Sequence, residues 1–196
     1  MPNFWTSPTF EPKRAFRFLV EFAPEGEDSL QFLAKSVSRP SYTVSSNPHK
    51  FFNHTFHYPG RVEWNTVNLT LVDAVSPNAS AIFMRYLTNI GYADPTQPAP
   101  NAADINNVSN QPIVLSTITK HTATSALGIV LIKEVGTSSD PSNTLAQNRA
   151  TTVKAEWVLN NAFITEVNFG EHSYDSEDLI DVQLTLQYDW ANYIVK

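Results

Sequence analysis

Residues 180–190 have the sequence IDVQLTLQYDW, in which apolar and polar side chains alternate throughout. Successive side chains of a β-strand point to opposite faces of the sheet, so this alternation predicts one long strand with two different faces. The apolar face contains Ile180, Val182, Leu184, Leu186, Tyr188 and Trp190. The opposite face is polar, which is typical of an antiparallel sheet that meets water on one side.

The same period of two recurs along most of the chain. It predicts further strands over 14–22, 32–37, 50–58, 62–72, 153–159 and 163–169. In the stretch 62–72, Thr66, Asn68 and Thr70 alternate with valine and leucine. Pro59-Gly60 lies between two of these stretches and predicts a turn there.

One helix is predicted after Asn78, a good N-cap residue, and before Gly91, which ends it. Its apolar residues at helical spacing are Ile82, Phe83, Tyr86, Leu87 and Ile90. The predicted fold class is therefore mainly β: a β-barrel or β-sandwich of long antiparallel strands with one packed α-helix and a loop-rich insertion.

The length of 196 residues favours a single domain. Residues 1–13 are predicted to form an N-terminal arm, because three prolines there prevent regular structure. The aromatic residues of the arm are expected to pack either on the core of the same chain or on a neighbouring chain. Residues 14–196 form the β domain, and 93–150, rich in proline and poor in charge, are predicted to be an insertion. Within the insertion, 113–119 and 127–133 could pair as one hairpin.

The charge balance restricts the possible partners. Thirteen Lys and Arg against nineteen Asp and Glu give a net charge of −6, which argues against a protein whose main task is to grip phosphate backbones. There is no cysteine, so disulfides and zinc–thiolate sites are excluded. No apolar run approaches the roughly 20 residues that span a bilayer, and no secretory leader is visible. We expect synthesis in a cytoplasm and no membrane partner.

Catalytic and metal-binding patterns are absent from the sequence. There is no phosphate-binding glycine loop, nucleophile elbow or zinc-protease motif. His54 and His57 are three residues apart on a predicted strand, so they face opposite sides and cannot share a metal ion. The acidic residues of 171–178 lack the ordered spacing of a calcium loop. We therefore expect no enzyme activity, no metal and no cofactor.

Five short segments carry a resemblance to a known family: KRAFRF at 13–18, YPGRVEW at 58–64, NLTLVD at 68–73, NAFI at 161–164 and DVQLTLQYDW at 181–190. Over 14–92 and 153–196 the chain resembles the tail-tube proteins of contractile-tailed, myovirus-type bacteriophages. The stretch 93–150 departs from a minimal tube protein. That departure leaves open a baseplate tube-initiator, a terminator protein, or the tube of a related contractile injection system.

The resemblance implies a structural role in a virion tail that is assembled in the host cytoplasm. In that family, subunits form homo-hexameric rings that stack head to tail, and their strands join into a continuous β-barrel around a channel. The partners it implies are the sheath, tape-measure, baseplate and terminator proteins. DNA passes through the channel during genome ejection without sequence-specific binding.

Two sets of candidate residues follow for such a tube. The polar strand faces predict a channel wall made of Thr66, Asn68, Thr70, Asp181, Gln183, Thr185 and Gln187. The chain is basic over 13–61 and acidic over 166–189, and a head-to-tail contact joins two different surfaces. The candidate inter-ring contacts are Lys13, Arg14, Arg39, Glu171, Asp175, Glu177 and Asp178. The alternatives are an ordinary exposed sheet face and ion pairs within one subunit.

A function of another class also stays open. A β-sandwich can bind carbohydrate through exposed tryptophans, and Trp5, Trp64 and Trp157 are the candidate platforms. Such a module would bind sugar as a monomer, whereas a tube protein would self-associate.

Overall fold

The computed structural model describes residues 13–22, 33–92, 118–137, 151–175 and 177–196. The elements are β1 (Phe18–Phe22), β2 (Ala34–Val37), β3 (Tyr42–Phe51), β4 (His54–Trp64), β5 (Val67–Val72), α1 (Ala79–Asn89), α2 (Lys120–Leu127), β6 (Val130–Thr137), β7 (Thr151–Asn160), β8 (Phe163–Asn168), β9 (Asp181–Gln187) and β10 (Trp190–Val195). The mainly β prediction is confirmed. The predicted arm, apart from Lys13, lies outside the described residues.

Two four-stranded antiparallel sheets enclose the core. Sheet A has the order β1-β6-β7-β10, and sheet B has the order β2-β5-β9-β8. Sheet A contributes Val20, Ile132 and Leu159 to the buried cluster, and sheet B contributes Leu69 and Leu184. Each such side chain contributes about 1.5–3 kcal/mol of transfer free energy when it is fully buried.

The strand predicted over 180–190 is divided between the two sheets. Its first part is β9 in sheet B, and its end is the start of β10 in sheet A. The chain crosses over at Tyr188, which is buried, and Asp189, whose backbone N–H donates to the carbonyl of Asn160 over 3.0 Å. The stretch 62–72 is likewise divided at Asn65-Thr66 between β4 and β5. Alternation continues through the break at 188–189, so the period alone does not reveal that one. At Asn65-Thr66 two polar residues follow each other and the apolar positions change phase, a signal that the prediction of one strand overlooked.

The predicted strand over 50–58 is wrong, because the chain reverses direction at Phe52-Asn53. Strands β3 and β4 pair as an antiparallel hairpin, from Tyr42 opposite Trp64 to Phe51 opposite His54. The predicted turn at Pro59-Gly60 is also wrong: both residues lie within β4, next to a break in its pairing with β3. At Gly60 a Cβ would lie 2.3 Å from the hydroxyl of Ser45, which explains a glycine there.

The predicted helix is α1, and its cap is confirmed. The side chain of Asn78 accepts a hydrogen bond from the backbone N–H of Ala81 over 2.7 Å. One face of α1 is buried, and the ring of Phe83 stacks on that of Phe22 with 6.3 Å between centroids. A second helix, α2, was not predicted. It packs against α1, where the hydroxyl of Tyr86 donates to the carbonyl of Ala123 over 3.1 Å.

Strand β6 corrects the interpretation of 127–133 as half of a peripheral hairpin. It lies in the middle of sheet A, with β1 on one edge and β7 on the other, so no edge is free to pair with 113–119. The described part of the predicted insertion, 118–137, thus contributes α2 and β6 to the core. Residues 93–117 and 138–150 lie outside the described residues.

We expect Leu184→Ala to lower the free energy of unfolding by about 3 kcal/mol, because it leaves a cavity in the central strand of sheet B. The matched control is Thr185→Ala, since the next side chain points away from the core. We expect the control to cost about 0.5 kcal/mol. Urea unfolding measures both, and equal losses would contradict the assignment of the two faces.

Candidate functional site

The predicted channel-wall residues of β5 and β9 come together on one face of sheet B. Asn68 lies opposite Thr185, and Thr70 lies opposite Gln183. The hydroxyl of Thr185 donates to the side-chain oxygen of Asn68 over 3.4 Å. Residues more than 100 positions apart in sequence thereby form one continuous polar surface on the side opposite the core.

The other predicted wall residues lie at the margins of this face. Thr66 is exposed and precedes β5, and Gln187 lies opposite Phe163 at the end of β9. The carboxylate of Asp181 accepts a hydrogen bond from Lys35 of β2 over 2.5 Å, so its charge is compensated within the chain.

The sequence interpretation missed three members of the face on the outer strands. Ser36 of β2 lies opposite Thr70, and Asn168 and Glu166 of β8 lie opposite Gln183 and Thr185. The period of two could have included Asn168, but both outer strands carry an irregularity in their pairing that changes which residues share a face. We call Ser36, Asn68, Thr70, Glu166, Asn168, Gln183 and Thr185 the polar face of sheet B; all carry hydroxyl or amide side chains except Glu166, whose carboxylate is exposed.

The hairpin of β3 and β4 is a second distinctive surface. All its strand residues are exposed except Trp64, which is half-buried. Near the tip, Phe51, Phe56 and Tyr58 lie on one face of the hairpin, as the register of the two strands shows. Phe52, at the tip, is 90% exposed. A two-stranded hairpin is marginally stable alone in water, and exposed apolar surfaces of this kind are typical of sites that bind a protein, a membrane or a ligand.

The root of the hairpin is attached to the body by ring packing. Trp64 lies against Tyr188 at the crossover between the sheets, with 5.9 Å between ring centroids. Tyr42 meets Trp64 edge-on at 5.4 Å. Beside these rings the amide of Asn65 donates to the hydroxyl of Ser41 over 3.0 Å.

Glu134 of β6 binds side chains from three separate segments. Arg39, just before β3, donates to one carboxylate oxygen over 2.5 Å. Lys13 and the hydroxyl of Tyr193 both donate to the other oxygen, the latter over 3.0 Å. Burial alone would raise the pKa of Glu134, but the hydrogen bonds from Lys13 and Tyr193 and the charge of Arg39 outweigh it and lower that pKa. The hydrogen bond to Glu134 is also the main cause that raises the pKa of Lys13.

Two predicted inter-ring residues, Lys13 and Arg39, therefore form ion pairs within the chain. Such ion pairs within one subunit are the alternative to a contact between rings. The third basic candidate, Arg14, is exposed. The four acidic candidates are all exposed in the segment between β8 and β9: Glu171, Asp175, Glu177 and Asp178. We call 169–180 the acidic loop. The structure does not bring these basic and acidic sets together, and their inter-ring role stays a prediction.

A cleft of about 320 Å³ lies between α1 and the acidic loop. Met84, Phe169 and Ile180 supply apolar lining. The carboxylate of Asp73, which also lines it, accepts hydrogen bonds from the backbone N–H of Ala79 over 3.0 Å and the hydroxyl of Ser80 over 2.5 Å. These bonds occupy Asp73 as a helix cap and do not position it as an acid or base. Within the described ranges, no three His, Asp or Glu side chains are grouped to hold a metal ion, and no helix is long and apolar enough to cross a membrane.

The candidate tryptophan platforms are separated in the structure. Trp64 packs on Tyr188 at the hairpin root, whereas Trp157 of β7 packs on Tyr193 of β10, with 4.7 Å between ring centroids. Both indoles are half-buried, and Trp5 lies outside the described residues.

The fold is shared with solved structures over nearly its full length. A chain of the anti-feeding prophage (AFP) baseplate, symmetrised six-fold, matches with a TM-score of 0.56 and 15% identity, covering 95% of this chain and 97% of that one. A chain of the PVC sheath/tube terminator, from an extracellular contractile injection system, matches with a TM-score of 0.54 and 16% identity, covering 95% and 99%. A chain of the AFP tube terminating cap matches with a TM-score of 0.56 and 15% identity, covering 95% and 93%.

These likenesses show that the chain shares its fold with chains of the AFP and PVC contractile injection systems. The predicted tail-tube fold is thus confirmed, without distinguishing a myovirus-type phage from another contractile system. No protein-family model matches the chain, and no curated protein matches it in sequence.

The Glu134 cluster leads to a pH prediction. The pKa of Glu134 is lower in the folded protein than its unfolded value of 4.5. Its contribution to the free energy of unfolding is therefore complete above about pH 5 and is lost as the pH falls through the folded pKa. We expect Glu134→Gln to lower stability at pH 7 by about 1 kcal/mol, because Lys13 and Arg39 are largely exposed.

The difference between wild type and Glu134→Gln should shrink as the pH falls below 4.5, because the carboxyl becomes protonated first in the unfolded protein and then, at its lowered pKa, in the folded protein. Denaturant unfolding at pH 7, 5 and 3 measures this difference. A constant difference across the three pH values would contradict the ion-pair assignment.

Proposed function

We propose that the chain is the structural subunit of a contractile tail tube, in which hexameric rings stack head to tail around a channel. The observation that carries the proposal is the fold shared over 95% of the chain with chains of the AFP baseplate and the PVC sheath/tube terminator. In a phage tail the channel would hold the tape-measure protein and then pass DNA. The role needs no catalytic site and no cofactor.

The open edges of the two sheets support assembly into a ring. Among the described residues, β1, β10, β2 and β8 each have one edge without a neighbouring strand. Unpaired edges present free backbone N–H and C=O groups, and closing sheets into a barrel removes them. Strand pairing between neighbouring subunits would satisfy these groups around a six-fold ring.

The polar face of sheet B is the proposed channel wall, with Thr66, Asp181 and Gln187 at its margins. Its side chains are amides and hydroxyls apart from the carboxylate of Glu166, and the charge of Asp181 is paired with Lys35. A wall without a basic surplus does not hold a polyanion, so DNA could pass without being retained.

Stacking would join the acidic loop of one ring to a basic surface of the next. A head-to-tail contact uses two different surfaces, and opposite charges set its orientation. Arg14 is the exposed basic candidate, and the hairpin adds Lys50 and Arg61 beside its aromatic surface. The sheath, baseplate and terminator proteins are the further proposed partners, in a virion tail assembled in the host cytoplasm.

A second candidate is a terminator or baseplate tube protein, in a phage or in another contractile injection system. The observation that favours this candidate is that the matched chains come from a baseplate, a sheath/tube terminator and a tube terminating cap. Such a protein would form a single ring rather than a long tube. A carbohydrate-binding module is less favoured, because Trp64 and Trp157 lie apart and are half-buried.

We expect the purified protein to form six-fold rings or tubes with a central hole as its concentration rises. Negative-stain electron microscopy and solution mass across a concentration series measure this. Single rings that never stack would favour the terminator or baseplate candidate, and monomers at every concentration would contradict a self-assembling subunit.

Reversing charge at the stacking surfaces should impair assembly. We expect Arg14→Glu and Glu177→Lys each to raise the concentration needed for stacking about tenfold, since each replaces an attraction with a repulsion. Lys154→Glu is the control: it reverses an exposed basic charge on β7 that belongs to neither proposed contact set. If Arg14→Glu and Glu177→Lys stack like wild type, the proposed charge contact is wrong.

Adding positive charge to the proposed wall should make the channel retain DNA. In assembled tubes we expect Gln183→Lys to raise the retention of short DNA about tenfold over wild type, with the excess lost at high salt. Asn192→Lys on β10 is the control, because it adds the same charge on sheet A. Gel filtration of tubes with labelled DNA measures this retention. Equal retention in Gln183→Lys and Asn192→Lys would contradict the wall assignment.

A further inference from the structure

The hairpin of β3 and β4 extends from the body on a narrow root. Its ten-residue strand β3 is about 30 Å long at the usual rise per residue. A tilt of about 10° at the root would therefore displace the tip by about 5 Å. Whatever holds the root thus determines where the aromatic tip lies.

Two contacts of different physical character hold this root. On the side of β4, Trp64 packs against Tyr188, and such apolar contact is not strongly directional. On the side of β3, the guanidinium of Arg39 binds the carboxylate of Glu134 over 2.5 Å. A charge-assisted hydrogen bond depends on direction as well as distance, so it restricts rotation that the ring contact permits.

We propose that Glu134 is a positioning residue that sets the direction of the hairpin and links it to the segment that enters at Lys13. Its strand, β6, is paired on both edges, which makes it a firm reference for the root. One carboxylate oxygen holds Arg39, and the other holds Lys13 and the hydroxyl of Tyr193. The carboxylate of Glu134 therefore binds side chains from the hairpin root, from the segment at Lys13 and from β10.

The shared anion couples the three segments. Two cations, Lys13 and Arg39, face one carboxylate, and Tyr193 is the third titratable group against it. Loss of the negative charge leaves the two cations facing each other without compensation. The hairpin direction then loses its electrostatic restraint, while the packing of Trp64 and the hydrogen bonds between Ser38 and Asn68 remain.

The experiment measures the direction of the hairpin in dilute, monomeric protein. The sequence has no cysteine, so Asn53→Cys at the tip and Ser125→Cys on α2 give two unique sites for spin labels. Pulsed electron paramagnetic resonance then reports the distribution of tip-to-body distances. We expect Glu134→Gln to widen this distribution at least twofold at pH 7.

Glu156→Gln is the matched control. Its carboxylate lies on the neighbouring strand β7, has a similarly shielded side chain, and pairs with Lys196 over 2.7 Å. We expect the control to leave the distribution unchanged. An unchanged distribution in Glu134→Gln, or equal widening in both variants, would overturn the proposal.

Two further measurements keep the proposal testable if Glu134→Gln folds poorly. Arg39→Gln leaves Glu134 paired with Lys13 and Tyr193 but cuts the link to the root, so it must also widen the distribution. In folded wild-type protein the distance distribution should widen as the pH is lowered through the folded pKa of Glu134, which lies below 4.5, whereas that of Glu134→Gln should not change over the same range. Failure of either result in a folded protein overturns the proposal. Because both readouts use monomers, they do not depend on whether the tube function holds.

Discussion

The contact between the inner faces of the two sheets determines the rest of this structure. Leu69 and Leu184 of sheet B and Ile132 and Leu159 of sheet A belong to one buried cluster. Side chains alternate along a strand, so burying one set forces the intervening residues outward. A shift of one residue would exchange the two sets, which is why burial fixes the register. The polar face of sheet B is thus the geometric consequence of the core behind it.

The ion pairs among the described residues compensate charge across the fold, and one of them, Lys35–Asp181, lies at the margin of this face. Most of the ion pairs join strands or helices that are distant in sequence: Lys35–Asp181, Lys120–Asp189, Lys133–Glu21, Lys196–Glu156, and Lys13 and Arg39 with Glu134. Exposed pairs contribute only about 0–1 kcal/mol each. Their main effect is on where charge appears: the acidic loop carries several acidic side chains, while the centre of sheet B presents amides and hydroxyls beside the carboxylate of Glu166.

The period of two predicted the faces of β5 and β9 because each strand has one buried side, and the capping preference of asparagine predicted the start of α1. The reversal at Phe52-Asn53 gave no signal, since Phe52 adopts a φ of 52° that the sequence would assign to glycine or asparagine. Helix α2, KHTATSAL, was missed because it is short and rich in threonine, and its stability depends on tertiary contacts. No sequence pattern predicts the role of Glu134, because its hydrogen-bond partners lie 59 to 121 positions away in the sequence.

The topology also determines when the chain can fold. Strand β1 pairs with β6 and β5 pairs with β9, so neither sheet can form until more than a hundred further residues have been made. Closing loops of this length costs conformational entropy before strand pairing can stabilise the sheets. Folds that are rich in such distant contacts therefore form slowly. The aromatic hairpin is complete long before Glu134 and Tyr188 exist to hold its root. During synthesis the hairpin therefore exposes its aromatic side chains before the contacts at its root can form, which makes premature association with other chains a hazard.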